Sequence, residues 1–237
     1  MKYCIVEIKT QTATFRNPEF QNFHKTLLLP PPTTLVGLAG AALGLSPKAA
    51  QDFFEEDIFE FGVYGKTQGI AKDLWKYDDF KDRSIILKEI LMKNSFILIY
   101  GCKDEVKITR LCNAFKHPVY ALTLGNSDSL AKVSSEIKIT DQVVRRKEIE
   151  YCILEGDIVS EVLQHASLHP EFSIYTTSEP IALDIPTHFH YQDDYGVRTV
   201  VARKTLSFVG RPMTLNIDKR GIIHDDVFIP VFNYQKS

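Results

Sequence analysis

Three consecutive prolines, Pro30 to Pro32, separate an apolar run from a stretch with helical periodicity, and this junction constrains the fold more than any other part of the chain. Because proline cannot continue a strand ladder, the apolar run 27–29 must end there. Beyond the prolines, apolar residues recur along one helical face: Leu35, Leu38, Ala39, Ala42 and Leu43. The pattern predicts a helix over residues 32–43.

The predicted helix carries two candidate caps and two interior glycines. Thr33 or Thr34 offers an N-cap oxygen, and Gly44 suits the left-handed residue that ends many helices. Gly37 and Gly40 each cost roughly 1 kcal/mol of helix stability relative to alanine. We therefore expect another segment to pack very close to this helix.

Two segments of the N-terminal half match one family pattern. The first is Phe15-Arg16-Asn17-Pro18, followed from Pro31 by Pro-Pro-Thr-Thr-Leu-x-Gly-Leu-x-Gly-x-x-x-Gly; the second, from Pro118, reads Pro-x-Tyr-x-Leu-x-Leu-Gly-x-Ser. Together they resemble the CRISPR-associated Cas-five family, part of the RAMP superfamily of RNA-binding proteins, and most of all its subtype I-B branch. The resemblance implies a subunit of a type I Cascade complex.

The coarse pattern predicts an α+β fold. Strand and helix signals alternate in the order strand, helix, strand, strand, helix, strand, the plan of a ferredoxin-like or RNA-recognition domain. The predicted N-terminal strands cover 3–9, 58–65, 95–100 and 118–124, and the helices cover 32–43 and 104–115, with a short extra helix at 49–56. Further strands are predicted at 134–140, 151–154, 172–176, 198–206, 222–224 and 227–231. We expect a ferredoxin-like (RRM-like) domain over 1–132 and a β-rich region over 133–237.

Charge and cysteine content limit the function classes. The 237 residues carry a formal net charge of -2, so any nucleic-acid site must be a local basic surface. Cys4, Cys102, Cys112 and Cys152 form no C-x-x-C pair, which predicts four reduced thiols in a cytoplasmic protein. No apolar run reaches the ~18 residues of a membrane span, and the start of the chain is unlike a signal peptide.

The charged segment 66–94 is the first candidate RNA contact. Lys66, Lys72 and Lys76 are interleaved with Trp75, so lysines could meet phosphates while the indole stacks on a base. The family resemblance implies that this segment projects as a hairpin, or thumb, beside the 5′ handle of the guide RNA. The alternative is a solvated excursion whose aromatic residues cover its own base.

The turn Gly125-Asn126-Ser127 is the second candidate. A glycine after a strand lets successive backbone N–H groups face an anion, although an ordinary capped turn has the same sequence. The resemblance makes this turn a candidate contact to the RNA backbone. The remaining candidate RNA-binding residues are Phe15, Arg16, Lys25, Thr33, Thr34 and Lys116.

Lys116 and His117 also raise an enzymatic alternative. A histidine can deprotonate a 2′-hydroxyl while a lysine stabilises the phosphorane, with Tyr64 or Tyr120 assisting. One branch of the family, in subtype I-C systems, cuts precursor crRNA with a tyrosine, a lysine and a histidine. The structural alternative is a cation pair at a helix C-terminus.

Two histidine pairs have spacings that metal sites use, and two acids follow the second pair: His165 and His169, His188 and His190, and Asp193 and Asp194. We expect surface histidines rather than a metal-dependent hydrolase, and no metal or cofactor. The basic triple Arg145-Arg146-Lys147 suits either an RNA or subunit contact, or a solvated strand edge.

These observations favour a non-catalytic crRNA-binding subunit of a type I Cascade complex that captures the 5′ handle and nucleates assembly. The resemblance implies contacts to the Cas-seven backbone subunit and the Cas-eight large subunit, and to target DNA through the complex. The alternative is a metal-independent endoribonuclease that processes precursor crRNA.

Overall fold

The computed structural model describes residues 1–20, 23–78, 83–159 and 180–236. The predicted strand at 172–176 lies outside these residues. The described helices are α1 (Pro32–Leu43), α2 (Pro47–Glu55) and α3 (Glu105–Lys116). The described strands are β1 (Lys2–Ala13), β2 (Phe23–His24), β3 (Phe59–Asp78), β4 (Arg83–Cys102), β5 (Ala131–Val133), β6 (Lys138–Thr140), β7 (Val144–Ile149), β8 (Cys152–Glu155), β9 (Ile181–Tyr191), β10 (Arg198–Val209), β11 (Met213–His224) and β12 (Val227–Asn233).

These strands form one mostly antiparallel sheet, so the predicted α+β class is confirmed. The sheet runs in the order β5-β1-β4-β3-β12-β11-β7, and β6 also pairs with β1. Among the described strand pairings, the only parallel one joins the two-residue strand β2 to β4. The C-terminal region joins this sheet through β12, which pairs with β3 so that Val231 lies opposite Gly62.

Alternating residues of β1 face two different cores, because successive side chains of a strand point to opposite faces of the sheet. Cys4, Val6 and Ile8 pack with the helices in the main core. Tyr3 and Ile5 face the other side, where they pack against residues of β11 and β12. The helices thus cover one face of the sheet, and the C-terminal strands cover part of the other.

Helix α1 has the predicted span but not the predicted N-cap. Pro31 is the N-cap, no side chain accepts a hydrogen bond there, and Thr33 and Thr34 lie inside the first turn. The threonine caps are therefore wrong, because the chain enters the helix through a proline at its first position. At the other end, Gly44 adopts φ 75° as predicted. The close partner of the glycine face is α2, since a Cβ on Gly40 would overlap Ala50.

Residues 118–124 do not form the predicted strand. The backbone N–H groups of Val119 and Tyr120 donate to the carbonyls of Ala42 and Ala41, at 3.0 and 3.2 Å. The segment therefore satisfies the last turn of α1, and its described strand pairing is a single bridge between Thr123 and Leu130. Beside β1, the place expected for this strand is taken by β5 and β6.

A polar cluster ties β11 to β1 and β3. The Tyr3 hydroxyl donates to Glu60 at 2.7 Å and accepts from Arg220 at 3.0 Å, and Arg220 also forms an ion pair with Glu60. Burial, together with the neighbouring Glu60 carboxylate, raises the pKa of Tyr3 to about 12. The cluster therefore fixes the C-terminal strands on the sheet face that carries Tyr3.

The prediction of four reduced thiols is wrong for one pair. Cys4 of β1 and Cys112 of α3 are joined in a disulfide with a Cα–Cα distance of 6.0 Å, whereas Cys102 and Cys152 are free and buried. The two partners face each other because β1 and α3 share the main core. Among the described residues, no helix is both long and apolar enough to cross a lipid bilayer.

Candidate nucleic-acid interface

The hairpin of β3 and β4 extends well past the rest of the sheet. β1 pairs with β4 only between Cys102 and Leu91. Beyond that point, residues 71–78 and 83–90 pair with each other and with the short β2. We call this two-stranded part the hairpin arm; eight residues at about 3.3 Å each give it a length of roughly 26 Å.

Lys88 is the central cation at the base of the hairpin arm. Its side chain is buried, its ammonium lies 4.1 Å from the centroid of the Trp75 ring, and it donates to Oδ1 of Asn126. Burial lowers the pKa of Lys88, while the carboxylates of Asp128 and Asp73 oppose that effect. Lys88 therefore joins the arm to the predicted turn at Gly125–Ser127.

A histidine lies beside Lys88, and a further lysine follows it in the chain. His24 pairs with Lys88 across β2 and β4. Burial lowers the pKa of His24, and the positive charges of Arg16 and Lys88 lower it further. Lys25 follows His24 and has its ammonium 5.3 Å from the Phe20 ring centroid. The residues Arg16, His24, Lys25, Trp75, Lys88 and Asn126 together are the arm base.

The turn that carries Asn126 is fixed against β1. The Thr14 N–H donates to the Leu124 carbonyl at 3.1 Å, and the hydroxyls of Thr12 and Ser129 are 2.8 Å apart. Gly125 has φ +97°, and a Cβ there would overlap the Thr14 carbonyl oxygen. Glycine is required at this position both by its backbone angle and by the close approach of the Thr14 backbone, which directly follows β1.

The arm base can hold an anionic single strand. Arg16 and Lys25 provide positive charge, and Trp75 keeps 37% of its surface exposed. Aromatic rings stack on unpaired bases irrespective of sequence, while lysine and arginine bind the adjoining phosphates. This combination of cations and an accessible indole is the arrangement expected of an interface for single-stranded nucleic acid.

Of the predicted RNA-binding residues, the arm base unites Arg16, Lys25, Trp75 and Asn126, with Gly125 and Ser127 in the adjoining turn. Lys72 and Lys76 are exposed on the hairpin arm itself. Phe15 is 2% exposed and packs edge-on against Phe96, so it belongs to the core. Because the Phe15 ring is buried in the main core, it has no surface for a base or a phosphate, and the predicted RNA contact of Phe15 is wrong.

Other predicted positions lie elsewhere. Thr33 and Thr34 are half-buried in the first turn of α1, and Lys116 is exposed in the last turn of α3. Lys66 lies on the sheet face opposite the helices, where its ammonium is 4.3 Å from the Tyr151 ring centroid and 3.9 Å from Glu150. These four residues are separate from the arm base.

The structure separates Tyr64 from the other proposed ribonuclease residues. Tyr64 packs with Tyr3 and Ile5 on the sheet face away from the helices. Lys116 and His117 end α3, which packs on the opposite face through Phe115. The sheet therefore separates Tyr64 from the lysine and the histidine. Tyr120, the other candidate, is exposed in the segment after α3.

The histidine pairs form no described metal site. His165 and His169 lie outside the described residues. The expectation of a surface histidine is wrong for His188, which is fully buried with its ring stacked on Tyr234. Asp193 and Asp194 are exposed.

Within the described residues, the one group with suitable ligand spacing is Glu7, His224 and Asp225. His224 Nε2 lies 2.7 Å from Glu7, and the Lys138 ammonium lies 3.3 Å from Asp225, so both carboxylates already have partners within the protein.

Sequence reasoning missed Lys88 and His24. A signal for Lys88 is present, because Lys88 and Glu89 interrupt the apolar run from Ile85 to Leu91. A charged residue inside such a run is seldom buried without a partner. His24 has no comparable signal, since it depends on the pairing of a two-residue strand.

Comparison with known proteins identifies the family. Residues 4–201 match the family model described as CRISPR-associated protein (Cas_Cas5). The curated proteins include no significant match to the sequence.

Among solved structures, a chain of a CRISPR RNA-guided surveillance complex is 11% identical, with 91% of each chain covered and a TM-score of 0.51. A CRISPR protein from Archaeoglobus fulgidus is 12% identical over 97% of this chain and 99% of its own, with a TM-score of 0.43. A structure described as Cas protein is 18% identical over 53% of this chain, spans 57% of its own and has a TM-score of 0.37. Since the family model covers most of the sequence, the chain belongs to the Cas-five family of CRISPR-associated proteins.

Proposed function

We propose that this chain is the crRNA-binding subunit of a type I CRISPR Cascade complex and that the arm base captures the 5′ handle of the guide RNA. The observation that carries this proposal is the contact of the Lys88 ammonium with the partly exposed Trp75 indole, at a position where Arg16 and Lys88 both lie close enough to His24 to lower its pKa. Family membership and the fold-level similarity to a chain of a CRISPR RNA-guided surveillance complex support a role in an effector complex.

Capture combines two kinds of contact. Arg16 and Lys25 hold phosphates of the handle, and Trp75 stacks on an unpaired handle base. The turn at Gly125–Ser127 adds backbone N–H groups, and Lys88 fixes its position relative to the hairpin arm. Because the turn and the arm come from distant parts of the sequence, the site exists only in the folded protein.

The fold supports a ferredoxin-like reading of the N-terminal region. The strand order β5-β1-β4-β3, with α1 and α3 on one face, has the order of a split βαβ unit. Since β5 and β6 lie beside β1, we propose that this domain ends near residue 140, slightly beyond the predicted 132. The hairpin arm is then the thumb, and the rest of the chain is the β-rich region.

The surface of the hairpin arm suits contact with other subunits. Leu74 and Ile85 are 68% and 72% exposed. Large exposed apolar residues that cluster on a projecting element favour a protein interface. We assign this surface to the Cas-seven backbone subunit or the Cas-eight large subunit, with target DNA contacted through the assembled complex. The ribonuclease alternative is not proposed, because Tyr64 lies across the sheet from Lys116 and His117.

The test compares RNA binding by the wild type and four single variants, alone and in the assembled complex. Fluorescence anisotropy measures affinity for handle-containing RNA and for an unrelated RNA of equal length. Trp75→Ala removes the stacking ring, and Arg16→Gln removes an exposed charge. The matched controls are Tyr195→Ala, an aromatic residue 75% exposed in another turn, and Lys103→Gln, an exposed cation after β4.

Trp75→Ala is expected to weaken handle binding by about 5- to 150-fold, since stacking on one base contributes roughly 1–3 kcal/mol. Arg16→Gln is expected to weaken binding less, and the two controls are expected to match the wild type. Equal affinity for both RNAs in both settings would contradict handle capture. Unchanged binding by Trp75→Ala would remove the arm base from the interface.

A further inference from the structure

A groove of about 580 Å³ lies where β1, β3 and β4 meet the segment leading into β5. Three cations line it together with neutral polar side chains: Lys9, Lys93, Lys132, Gln11, Gln68 and Ser95. No acidic residue lines this groove in the part of the chain that the structure describes. The groove is therefore a concave, positively charged surface on a protein whose net charge is -2.

The strand register gathers these cations from three distant segments. Lys9 of β1 lies opposite Lys132 of β5 on one side and opposite Ser95 of β4 on the other. Lys93 lies two residues before Ser95 on β4. Residues directly opposite each other in an antiparallel pair share a face of the sheet. With strands about 4.8 Å apart, the row from Lys132 through Lys9 to Ser95 spans roughly 10 Å across three strands.

The protein does not neutralise the groove cations. Among the described residues, no carboxylate lies within ion-pair distance of Lys9, Lys93 or Lys132, whereas Lys107 contacts two acids. Like charges directly opposite on paired strands are destabilising, as with Lys9 and Lys132. In addition, Lys93 has φ +52°, a backbone region that few residues other than glycine, asparagine and aspartate adopt.

The Lys9–Lys132 pair and the backbone of Lys93 both lower the stability of the fold, and both occur at one concave surface. Such departures from local rules concentrate at binding sites. The missing partner must be an anion long enough to reach several lysines. No aromatic residue lines the described groove, so its contacts are with phosphates rather than with stacked bases.

We infer that this groove binds the phosphodiester backbone of a single nucleic-acid strand, as a second contact surface beyond the arm base. Leu130 lines the groove, and the neighbouring Ser129 contacts Thr12 in the turn that also carries Asn126. A strand leaving the arm base crosses this turn and enters the groove. The inference rests on the proposed function in one respect, because the strand is taken to be the guide RNA; single-stranded DNA offers the same phosphates.

The test measures anisotropy of a labelled, unstructured 15-nucleotide RNA and of a DNA of the same sequence, across a series of salt concentrations. The groove variant is Lys9→Gln with Lys132→Gln. Its control is Lys48→Gln with Lys103→Gln, which makes the same charge change at exposed sites away from the groove. The variant Lys9→Arg with Lys132→Arg keeps the charge and guards against a loss due to misfolding.

Each lysine that neutralises a phosphate of a single strand contributes about 0.7 to the slope of log K against log salt. The slope of the groove variant is expected to be smaller than that of the wild type by about 1.4. If the two proteins bind equally at 1 M salt, the variant then binds roughly 25-fold more weakly than the wild type at 0.1 M. The control and the arginine variant are expected to keep the wild-type slope. Tighter binding of RNA than of DNA identifies the guide as the occupant, and the reverse preference identifies a DNA strand.

A groove variant with the slope and affinity of its control would overturn the inference. If Trp75→Ala weakens binding while the groove variant does not, the groove inference fails and the proposed function stands. A wild type that binds neither strand defeats both. Binding of a hexaglutamate peptide by the wild type but not by the groove variant, with RNA binding unaffected, makes the groove a protein-docking surface and also overturns the inference.

Discussion

Replacing Gly125 by alanine tests how the turn of the arm base is held. The glycine has φ +97°, and an added Cβ would overlap the carbonyl oxygen of Thr14. The left-handed conformation costs a residue with a side chain about 1–2 kcal/mol. Overlap with the Thr14 backbone, which directly follows β1 and cannot rotate away, adds roughly 1–2 kcal/mol. Gly125→Ala should therefore lower the free energy of unfolding by about 2–4 kcal/mol.

The matched control is Gly37→Ala in α1. A Cβ on Gly37 meets no atom within 4 Å, so the substitution removes only the entropic disadvantage of glycine in a helix. It should stabilise the protein by roughly 0.5–1 kcal/mol. For a chain of this size, 1 kcal/mol shifts the melting temperature by about 2–4 °C. Thermal unfolding followed by circular dichroism should therefore separate the two variants in opposite directions.

The same pair of variants links stability to binding. Displacing Gly125 moves Asn126 away from Lys88, so the folded Gly125→Ala protein should bind handle RNA more weakly than Gly37→Ala does. A melting temperature for Gly125→Ala equal to that of the wild type would refute the packing argument. Weakened stability with unchanged RNA affinity would instead show that the turn has no part in binding.

Two further predictions concern buried charge. Burial lowers the pKa of His188 to about 4, from an ordinary value of 6.5, so the folded state favours the neutral ring. Stability should therefore be lost as the pH falls from about 6.5 towards 4. His188→Phe should reduce the difference in unfolding free energy between pH 7 and pH 4.5 by about 1–3 kcal/mol. An unchanged pH dependence of urea unfolding in this variant would contradict the prediction. Arg220→Met leaves the Glu60 carboxylate and the Tyr3 hydroxyl without their cation, so it should lower the free energy of unfolding by about 1–3 kcal/mol. Adding Glu60→Gln should restore part of that loss. Purely additive effects of the two substitutions would count against a coupled cluster.

Local patterns were sufficient for the elements whose residues alternate or repeat cleanly. The two faces of β1 follow from simple alternation, and α1 follows from its apolar stripe and its terminal glycine. The charged segment 66–94 indicates an insertion, although the sequence does not reveal that β3 and β4 run without a break into the hairpin arm. In each case the information lies within a dozen neighbouring residues.

Errors arose where tertiary contacts decide the conformation. Residues 118–124 have strand composition but use their N–H groups on the end of α1. The charges at 145–148 hide the two-residue period of β7, so the sequence offers a solvated strand edge for these residues only as an alternative. β7 ends the strand order of the sheet, where charged residues suit an edge. β9 was missed because of Pro186, which is tolerated since β9 pairs only with β10 among the described strands.

The binding surfaces were predicted only in part for a related reason. Trp75 and the turn at Asn126 each have a local signal, but Lys88 brings them together through a contact between distant segments. The groove depends wholly on register, because Lys9, Lys93 and Lys132 become neighbours only when β1, β4 and β5 pair. Sequence motifs identify individual contacts, whereas pairing determines which contacts share a site.

The most direct test of handle capture by the arm base is site-specific crosslinking. A guide RNA with 4-thiouridine in its 5′ handle is irradiated with the full-length protein in the assembled complex, and crosslinked peptides are mapped by mass spectrometry. The account predicts crosslinks within 71–78, 85–90 and 125–128, and their loss in Trp75→Ala but not in Tyr195→Ala. Handle crosslinks confined to other parts of the chain, such as β9 and β10, would contradict it.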